Sequence, residues 1–261
     1  MGTQQQKQLK VLLIGEICED IYIFGDVSRI SPEAPVPVIK YSSRDIKKGM
    51  AGNVYENIFN MSSNLKIDFW CNKHHKIKKI RYIDEKSKYQ IMRYDIEKTL
   101  DTLSIDKINN TSEDYDVVVI SDYNKGFLNN SSIELITKKF KNSKIFVDTK
   151  KKGLSSFKNS IIKLNEIEAS EAHSIDRSSQ VITTLGSKGC KFKGVNYMSE
   201  SVDVHDVCGA GDVFLAALVV RWLETKDIVS SIKTANNCAA LSVTKLGCYT
   251  IKKEEYENLR V

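Results

Sequence analysis

Five short apolar segments, each followed within one or two residues by a glycine or a polar side chain, constrain the fold of this chain more than any other feature. They occupy residues 11–14, 117–120, 145–147, 161–164 and 181–184. Runs of this length suit buried strands, and the stretches between them are compatible with crossover helices. The pattern therefore predicts an α/β fold in which a central, mostly parallel sheet is flanked by helices.

Polar residues or glycine follow each of these segments. They are Gly15, Ser121 with Asp122, Asp148, Asn165 and Gly186. Ligands of open parallel sheets bind at the carboxyl ends of the strands. We therefore expect a functional site along this edge of the sheet.

Two other segments, at about 21–44 and 77–95, are strand-like but do not fit the parallel scheme. The first contains all three prolines of the chain, at positions 32, 35 and 37. Proline is tolerated at strand edges and strand starts, so these segments suit a small exposed sheet. We interpret them as a β-rich lid on a single domain that spans residues 1–261.

Composition excludes several classes of protein. The chain is 41% hydrophobic with a net charge of +6, and its most apolar stretch, residues 213–223, is interrupted by Arg221 and too short to span a bilayer. The basic segment 73–81 has no aromatic stacking platform, so we expect neither a nucleic-acid nor a membrane partner. Six cysteines without a CxxC pair indicate free thiols in a reducing compartment, the cytoplasm.

The segment DVCGAGD, which ends at Asp212, carries the strongest chemical signal. Gly209, Ala210 and Gly211 are small enough for backbone N–H groups to approach an anion, and the following apolar run predicts a helix whose dipole adds positive potential. A carboxylate at Asp212 can accept the proton of an attacking hydroxyl while these donors stabilise a phosphoryl group. The alternative is that Asp212 only caps the helix.

This segment, DVCGAGDVFLAALV, resembles the C-terminal signature of the PfkB, or ribokinase-like, carbohydrate kinases. Residues 24–40, FGDVSRISPEAPVPVIK, are similar to the start of the kinase domain of the D-glycero-β-D-manno-heptose 7-phosphate kinases. Further matches follow in the expected order, at 121–126, 147–151, 164–168, 183–189 and 235–247. The resemblance implies a ribokinase-like fold and an ATP- and Mg²⁺-dependent phosphoryl transfer to the anomeric hydroxyl of a sugar phosphate.

The resemblance also assigns residues on the phosphoryl-transfer side. Asp212 would be the base, and residues 209–211 would form the anion hole. Asn165 and Glu168 match an N-x-x-E motif that organises Mg²⁺ through water, although an N-cap Asn with a first-turn Glu is equally good local chemistry. The nucleotide would be bordered by Thr184, Gly186, Gly189 and Asn236.

On the acceptor side, the resemblance makes Asp20 the residue that holds sugar hydroxyls. Asn53 follows the position of the paired-glycine motif, and Arg93 matches a strand of the lid. Lys125 and Lys150 are expected to pair with the phosphate that the sugar already carries, or else to be surface lysines.

The chain departs from the family pattern in several places. Met50 replaces the second glycine of the paired motif, and Glu16 stands where an aspartate is usual. A strand and a helix after Asn53, and a helix between Glu168 and Thr183, are expected to be missing. Two alternatives therefore stay open: a kinase for another sugar or sugar phosphate, and a non-catalytic binding relative. The resemblance further implies a homodimer formed through the lid, and we expect no attached nucleotidyltransferase domain.

Overall fold

A computed structural model describes residues 8–62, 64–72 and 77–261 of the protein. The strands in this part of the chain are β1 (Leu9–Gly15), β2 (Ile17–Ile30), β3 (Pro37–Met50), β4 (Leu65–Cys71), β5 (Ile77–Asp84), β6 (Gln90–Glu97), β7 (Val117–Asp122), β8 (Lys144–Thr149), β9 (Ser160–Asn165), β10 (Gln180–Thr184), β11 (Cys190–Phe192) and β12 (Val195–Tyr197). The helices are α1 (Ala51–Met61), α2 (Ile105–Asn110), α3 (Asn130–Lys139), α4 (Glu166–Glu171), α5 (Ala210–Thr225), α6 (Ile228–Val243) and α7 (Lys253–Leu259). Across the described ranges, no helix combines the length and apolar character that crossing a bilayer requires.

The main sheet has eight strands in the order β12-β11-β10-β9-β8-β7-β1-β4. The five apolar segments identified in the sequence form β1, β7, β8, β9 and β10, which are parallel neighbours in this sheet. Alternate residues of each strand pack into hydrophobic clusters on opposite faces, because successive side chains of a strand point to opposite sides. The predicted α/β architecture is confirmed, and all five strands end at the same edge.

The expectation that a strand is missing after Asn53 is wrong. Residues 65–71 form β4, which pairs in parallel with β1 at the end of the sheet. Its sequence, LKIDFWC, mixes polar and apolar residues because an edge strand is only half-buried. The helix α4 has six residues and includes Glu168, and residues 172–179, which lead from it to β10, contain no further helix.

A second sheet contains the two segments that the sequence set apart. Its strand order is β3-β2-β5-β6, with β2 and β5 parallel and the outer pairs antiparallel. These strands extend beyond the predicted segments 21–44 and 77–95 by a few residues. Basic residues 73–76, part of the lysine-rich segment 73–81, lie outside the described residues.

The register of the second sheet gives it two chemically different faces. Laterally paired residues share a face, and consecutive residues alternate. One face carries an apolar row formed by Ile46, Ile21, Ile80 and Tyr94. The opposite face carries a charged row formed by Lys47, Asp20, Lys79 and Asp95, and beside it a row formed by Asp45, Tyr22, Arg81 and Arg93.

Candidate active site

The glycine turn leads directly into α5. Gly209 precedes the helix with φ 77° and ψ 0°, a left-handed conformation that glycine adopts without steric cost. A Cβ at this position would lie 2.6 Å from Nδ2 of Asn53, so the turn has no room for a larger residue. The close approach of these two segments explains why glycine is required here.

The N–H groups at the start of α5 are only partly available to a ligand. The first helical hydrogen bond runs from the N–H of Val213 to the carbonyl of Gly209 at 3.0 Å. The N–H groups of Gly211 and Asp212 therefore have no acceptor within the helix. The N–H of Ala210 donates to the carbonyl of Val207 at 3.3 Å, so it is engaged within the protein, and its place in the anion hole stays a prediction.

Asp212 lies in the first turn of α5 and is only 4% exposed. The hydroxyl of Tyr123 donates to its Oδ1 at 2.7 Å, and Nδ2 of Asn53 donates to its Oδ2 at 3.1 Å. Burial raises the pKa of Asp212 to about 6, although both hydrogen bonds act in the opposite direction. The carboxylate is thus ionised at neutral pH but basic enough to take a proton.

A buried ion pair lies beneath the glycine turn. Nζ of Lys163 is 2.6 Å from Oδ2 of Asp148, and both side chains are 5% exposed. A Cβ at Gly211 would lie 2.9 Å from the Lys163 nitrogen, so glycine allows the ammonium to approach the turn. Lys163 is a residue that our sequence reasoning missed. Its signal was a lysine inside the apolar run of β9, two positions before the strand ends at Asn165.

A cavity of about 530 Å³ joins the turn to the predicted nucleotide residues. Its lining includes Gly209, Ala210, Gly211, Asp212, Thr184, Gly186, Gly189 and Asn236. Asn236, on α6, donates from Nδ2 to the carbonyl of Tyr197 at 2.9 Å. Gly189 has φ 85°, and a Cβ there would lie 2.1 Å from the same carbonyl oxygen. The sequence-predicted phosphate and nucleotide residues are therefore brought together around one space.

Asn165 and Glu168 form a reciprocal capping box at the start of α4. Oδ1 of Asn165 accepts from the N–H of Glu168, and Oε2 of Glu168 accepts from the N–H of Asn165, both at 2.8 Å. The other carboxylate oxygen of Glu168 pairs with Lys150. The local alternative of an N-cap Asn with a first-turn Glu is thus present. Lys150, assigned from the sequence to the acceptor phosphate, lines the cavity beside this pair.

The predicted acceptor residues occupy the second sheet and its surroundings. Oδ1 of Asp20 pairs with Nη1 of Arg81, a buried arginine that the sequence did not single out. Arg93 pairs with Asp95 on the edge strand β6. Asn53, which the sequence assigned to the acceptor side, donates a hydrogen bond to Asp212.

Lys125, the other predicted phosphate ligand, pairs with Glu97 at 2.7 Å. Its N–H donates to the carboxylate of Glu16 at 2.8 Å, which also accepts from the N–H groups of Tyr123 at 2.6 Å and Phe127 at 3.3 Å. Burial raises the pKa of Glu16, and these three donors oppose that rise. Glu16, which the sequence placed near the sugar pocket, therefore anchors the loop that carries Tyr123.

The donor set of the cavity fits a hard divalent cation held mainly through water and phosphate. Within the described ranges, no group of three or more His, Cys, Asp or Glu residues is arranged to hold a metal ion by itself. One oxygen of Asp148, Oδ1, is nevertheless buried without a hydrogen-bond partner in the described structure. Mg²⁺ is commonly bound by one or two carboxylates together with substrate phosphates, so Asp148, which lines the cavity, is a suitable ligand. Glu168 reaches this region through its capping partner Asn165, which also lines the cavity.

Solved structures share this fold over nearly the whole chain. Phosphofructokinase-2 from Escherichia coli superposes with a TM-score of 0.73 at 13% identity, covering 97% of each chain. Arabidopsis thaliana ribokinase, solved in complex with ribose and ATP, gives a TM-score of 0.67 at 15% identity and covers 96% of this chain and 98% of its own. The ribokinase-like fold is thereby confirmed.

Sequence comparisons give a narrower result. The chain is 28% identical to the bifunctional protein HldE of Campylobacter curvus and 29% identical to that of Nitratiruptor sp., over 97% and 95% of its length. It spans 65% and 64% of the length of these relatives. The alignment with the former runs over 305 positions, so that relative contains segments without a counterpart in these 261 residues. A model described as "pfkB family carbohydrate kinase" matches residues 159–255. That match includes the glycine turn, Asp212 and Asn236, so this part of the chain is similar to the pfkB family of carbohydrate kinases.

Proposed function

We propose that this chain transfers the γ-phosphoryl group of ATP to a hydroxyl of a phosphorylated sugar, namely the anomeric hydroxyl of D-glycero-β-D-manno-heptose 7-phosphate. The observation that carries the proposal is the environment of Asp212. Its buried carboxylate adjoins the N-terminus of α5 on the wall of a cavity of about 530 Å³, a size typical of small-molecule sites. ATP and a sugar are also the ligands of the ribokinase from Arabidopsis thaliana.

Asp212 would accept the proton of the attacking hydroxyl. Each carboxylate oxygen has two lone pairs, so Oδ1 and Oδ2 can accept a substrate hydroxyl in addition to Tyr123 and Asn53. The N–H groups of Gly211 and Asp212, with the dipole of α5, would stabilise charge on the transferring group. Because the transition state is loose, this positioning matters more than strong basicity.

Asp148 and Glu168 would hold Mg²⁺ on the nucleotide side, largely through water. The cation would neutralise negative charge on the nucleotide phosphates. Lys150 and Lys163 are the neighbouring cations, and each already pairs with one of these two carboxylates. The protein thus places two carboxylates and two ammonium groups where the phosphates of ATP would lie.

The charged face of the second sheet supports a phosphorylated acceptor. Two adjacent rows of this face contain four cations, Lys47, Lys79, Arg81 and Arg93, against three aspartates. Nζ of Lys79 lies 5.6 Å from the ring centroid of Tyr123, whose hydroxyl contacts Asp212. A sugar phosphate bound under this sheet would meet arginine side chains, whose planar guanidinium groups suit phosphate oxygens. The heptose 7-phosphate itself rests on the resemblance of residues 24–40.

The experiment that tests this function measures ADP release with a panel of acceptors. The panel contains heptose 7-phosphate, the same heptose without its phosphate, fructose 6-phosphate and ribose. We expect the highest kcat/KM with heptose 7-phosphate. In ³¹P NMR the product should show a second phosphate signal, from a phosphate on the anomeric oxygen. Asp212→Asn should reduce kcat at least a hundredfold, since it removes the general base. Asp114→Asn, at an exposed position before β7, serves as the matched control.

Each outcome separates one alternative. A preference for another acceptor would replace heptose 7-phosphate while leaving the kinase assignment intact. Equal background rates for the wild type and Asp212→Asn with every acceptor would favour a binding protein. That second alternative has a structural observation in its support, because Glu168 and both oxygens of Asp212 already have protein partners.

We further propose that the chain forms a homodimer through its second sheet, which would serve as the lid of the site. The apolar row Ile46-Ile21-Ile80-Tyr94 lies on the face opposite the charged rows. Its outer members are strongly exposed, Ile46 at 50% and Tyr94 at 54%. An exposed apolar row of this kind is typical of an interaction surface.

A further inference from the structure

Two cysteines that are 40 positions apart in sequence meet beside the glycine turn. Sγ of Cys208 lies 3.1 Å from Sγ of Cys248. Cys208 precedes Gly209, and Cys248 follows the end of α6. Because α5 and α6 are consecutive helices packed against each other, the start of the first lies near the end of the second.

The backbone around this pair is held in place by Asp206. Its Oδ1 accepts from the N–H of Cys208 and its Oδ2 accepts from the N–H of Gly247, both at 2.9 Å. The N–H of Cys248 donates to the hydroxyl of Tyr22 on β2 at 3.1 Å. The backbone on both sides of the thiol pair is therefore held by several elements.

The surroundings give the two thiols different reactivity. Cys208 is partly exposed, whereas Cys248 is buried. Nη2 of Arg81 lies 3.4 Å from Sγ of Cys208. The hydrogen bond from Cys248 and the charge of Arg81 lower the pKa of Cys208, while the pKa of Cys248 is raised. A thiolate is the reactive form of cysteine, so the exposure and the lowered pKa of Cys208 favour it as the attacking thiol and Cys248 as its partner.

We infer that Cys208 and Cys248 form a reversible oxidation site, in which a peroxide converts the dithiol to a disulfide beside the phosphoryl-transfer turn. The Cys208 thiolate attacks one peroxide oxygen, giving a sulfenic acid and releasing hydroxide. The Cys248 thiol then attacks the sulfenic sulfur, forming the S–S bond and releasing water. Two electrons pass from the two sulfurs to the peroxide, and a thiol reductant reverses the change.

Closing the bond would disturb the site. The sulfurs must approach from 3.1 Å to about 2.05 Å, and Cys208 adjoins a turn in which Gly209 has no spare room. Asp20 would also be affected, since its Oδ2 lies 3.5 Å from Sγ of Cys248. Displacements of about 1 Å near reacting groups can cost on the order of a hundredfold in rate. This consequence for turnover rests on the proposed kinase function, whereas formation of the disulfide does not.

The test combines peptide mapping with activity. The full chain is treated with hydrogen peroxide, its remaining thiols are alkylated, and its peptides are analysed by mass spectrometry. We expect a linked peptide pair containing residues 208 and 248, four alkylated cysteines out of six, and full reversal by dithiothreitol. Cys71→Ser, at a half-exposed thiol on β4, should leave the link unchanged. Six free thiols, or a different linked pair, would overturn the proposal.

The activity arm compares each chain before and after oxidation. The wild type and Cys71→Ser should lose roughly tenfold to a hundredfold in kcat on oxidation and recover with dithiothreitol. Cys208→Ser and Cys248→Ser should have the same kcat before and after oxidation. An equal loss in Cys208→Ser would show that the inhibition arises elsewhere. If the reduced wild type has no kinase activity with any acceptor, the proposed function fails while the mapping still decides the oxidation site.

Discussion

The hydroxyl of Tyr123 donates a 2.7 Å hydrogen bond to Oδ1 of Asp212, across 89 positions of sequence. Tyr123 follows β7 in the loop that Glu16 anchors by accepting from its backbone N–H. The position of this loop therefore determines whether the Tyr123 hydroxyl reaches Asp212. The same phenol ring contacts Lys79 of the second sheet and Lys150 of the cavity at 5.6 and 5.7 Å. This tyrosine therefore links the proposed base, Asp212, to the second sheet, where the sugar is proposed to bind, and to the cavity proposed for the nucleotide.

The contact predicts the pH dependence of activity. Asp212 must be ionised to accept a proton, so kcat/KM should fall as pH drops through its pKa of about 6. The bond from Tyr123 lowers that pKa, and Tyr123→Phe should therefore move the acidic limb to higher pH. The loss of activity should be larger at pH 6 than at pH 8. Tyr115→Phe, which removes a 2.8 Å bond to Asp68, is the matched control. An unchanged limb in Tyr123→Phe would show that another group titrates.

The raised pKa of Asp212 predicts a gain in stability on its removal. The fold disfavours the ionised form, so the carboxylate lowers the free energy of unfolding as pH rises from its ordinary 3.8 through about 6. The cost at pH 8 is about 3 kcal/mol at most. Asp212→Asn should raise Tm at pH 8 but not at pH 3.5, by less than this limit because the asparagine side chain keeps only one acceptor oxygen for the two donors, Tyr123 and Asn53. Thermal unfolding at both pH values measures this, and a lower Tm at pH 8 would contradict it.

The buried pair of Lys163 and Asp148 predicts a large effect of a single substitution. Lys163→Met leaves a buried carboxylate without its cation, which typically costs about 3–5 kcal/mol. The midpoint of urea unfolding should fall accordingly, and Lys163→Met combined with Asp148→Asn should recover part of the loss. Lys10→Met, at a solvent-exposed pair with Glu113, should hardly move the midpoint. Equal effects at the two sites would show that the buried pair has no special role.

The packing of Gly49 against Asp20 predicts a steric effect on the acceptor side. A Cβ at Gly49 would lie 2.1 Å from Oδ2 of Asp20 and 2.6 Å from Sγ of Cys18. Gly49→Ala should therefore displace the carboxylate, destabilise the protein by about 1–3 kcal/mol and raise KM for the sugar more than for ATP. At Gly153 a Cβ would meet His173 at an ordinary 3.5 Å, so Gly153→Ala is the control. A KM for the sugar that does not change would rule out a role for Asp20 in binding.

If the homodimer forms through the apolar row of the second sheet, a charged substitution in that row should convert the dimer to a monomer. Tyr94→Asp places a charge in the exposed part of the row on β6. Sedimentation velocity should show a dimer for the wild type and a monomer for this variant at the same micromolar concentration. Val195→Asp, on an exposed position of β12, should stay dimeric. A wild-type monomer over the whole concentration range would contradict the proposal.

The sequence alone determined the elements and the edge at which they end. Short apolar runs specify buried strands because burial is a local requirement on each side chain, and this applies to β1, β7, β8, β9 and β10. The glycines of residues 209–211 were also predictable, since small residues before an apolar helix indicate a turn that approaches an anion. The half-buried edge strand β4 was not predictable in this way, because its mixed pattern resembles a loop.

Only the tertiary structure decided which partners surround these elements. Asn53 and Tyr123 reach Asp212 across 159 and 89 positions, Arg81 reaches Asp20 across 61, and Cys208 meets Cys248 across 40. Hydrophobic periodicity states which face of an element is buried, but it does not state which distant element covers that face. The two faces of the second sheet depend likewise on strand register, because a slip of one residue would exchange its apolar and charged rows.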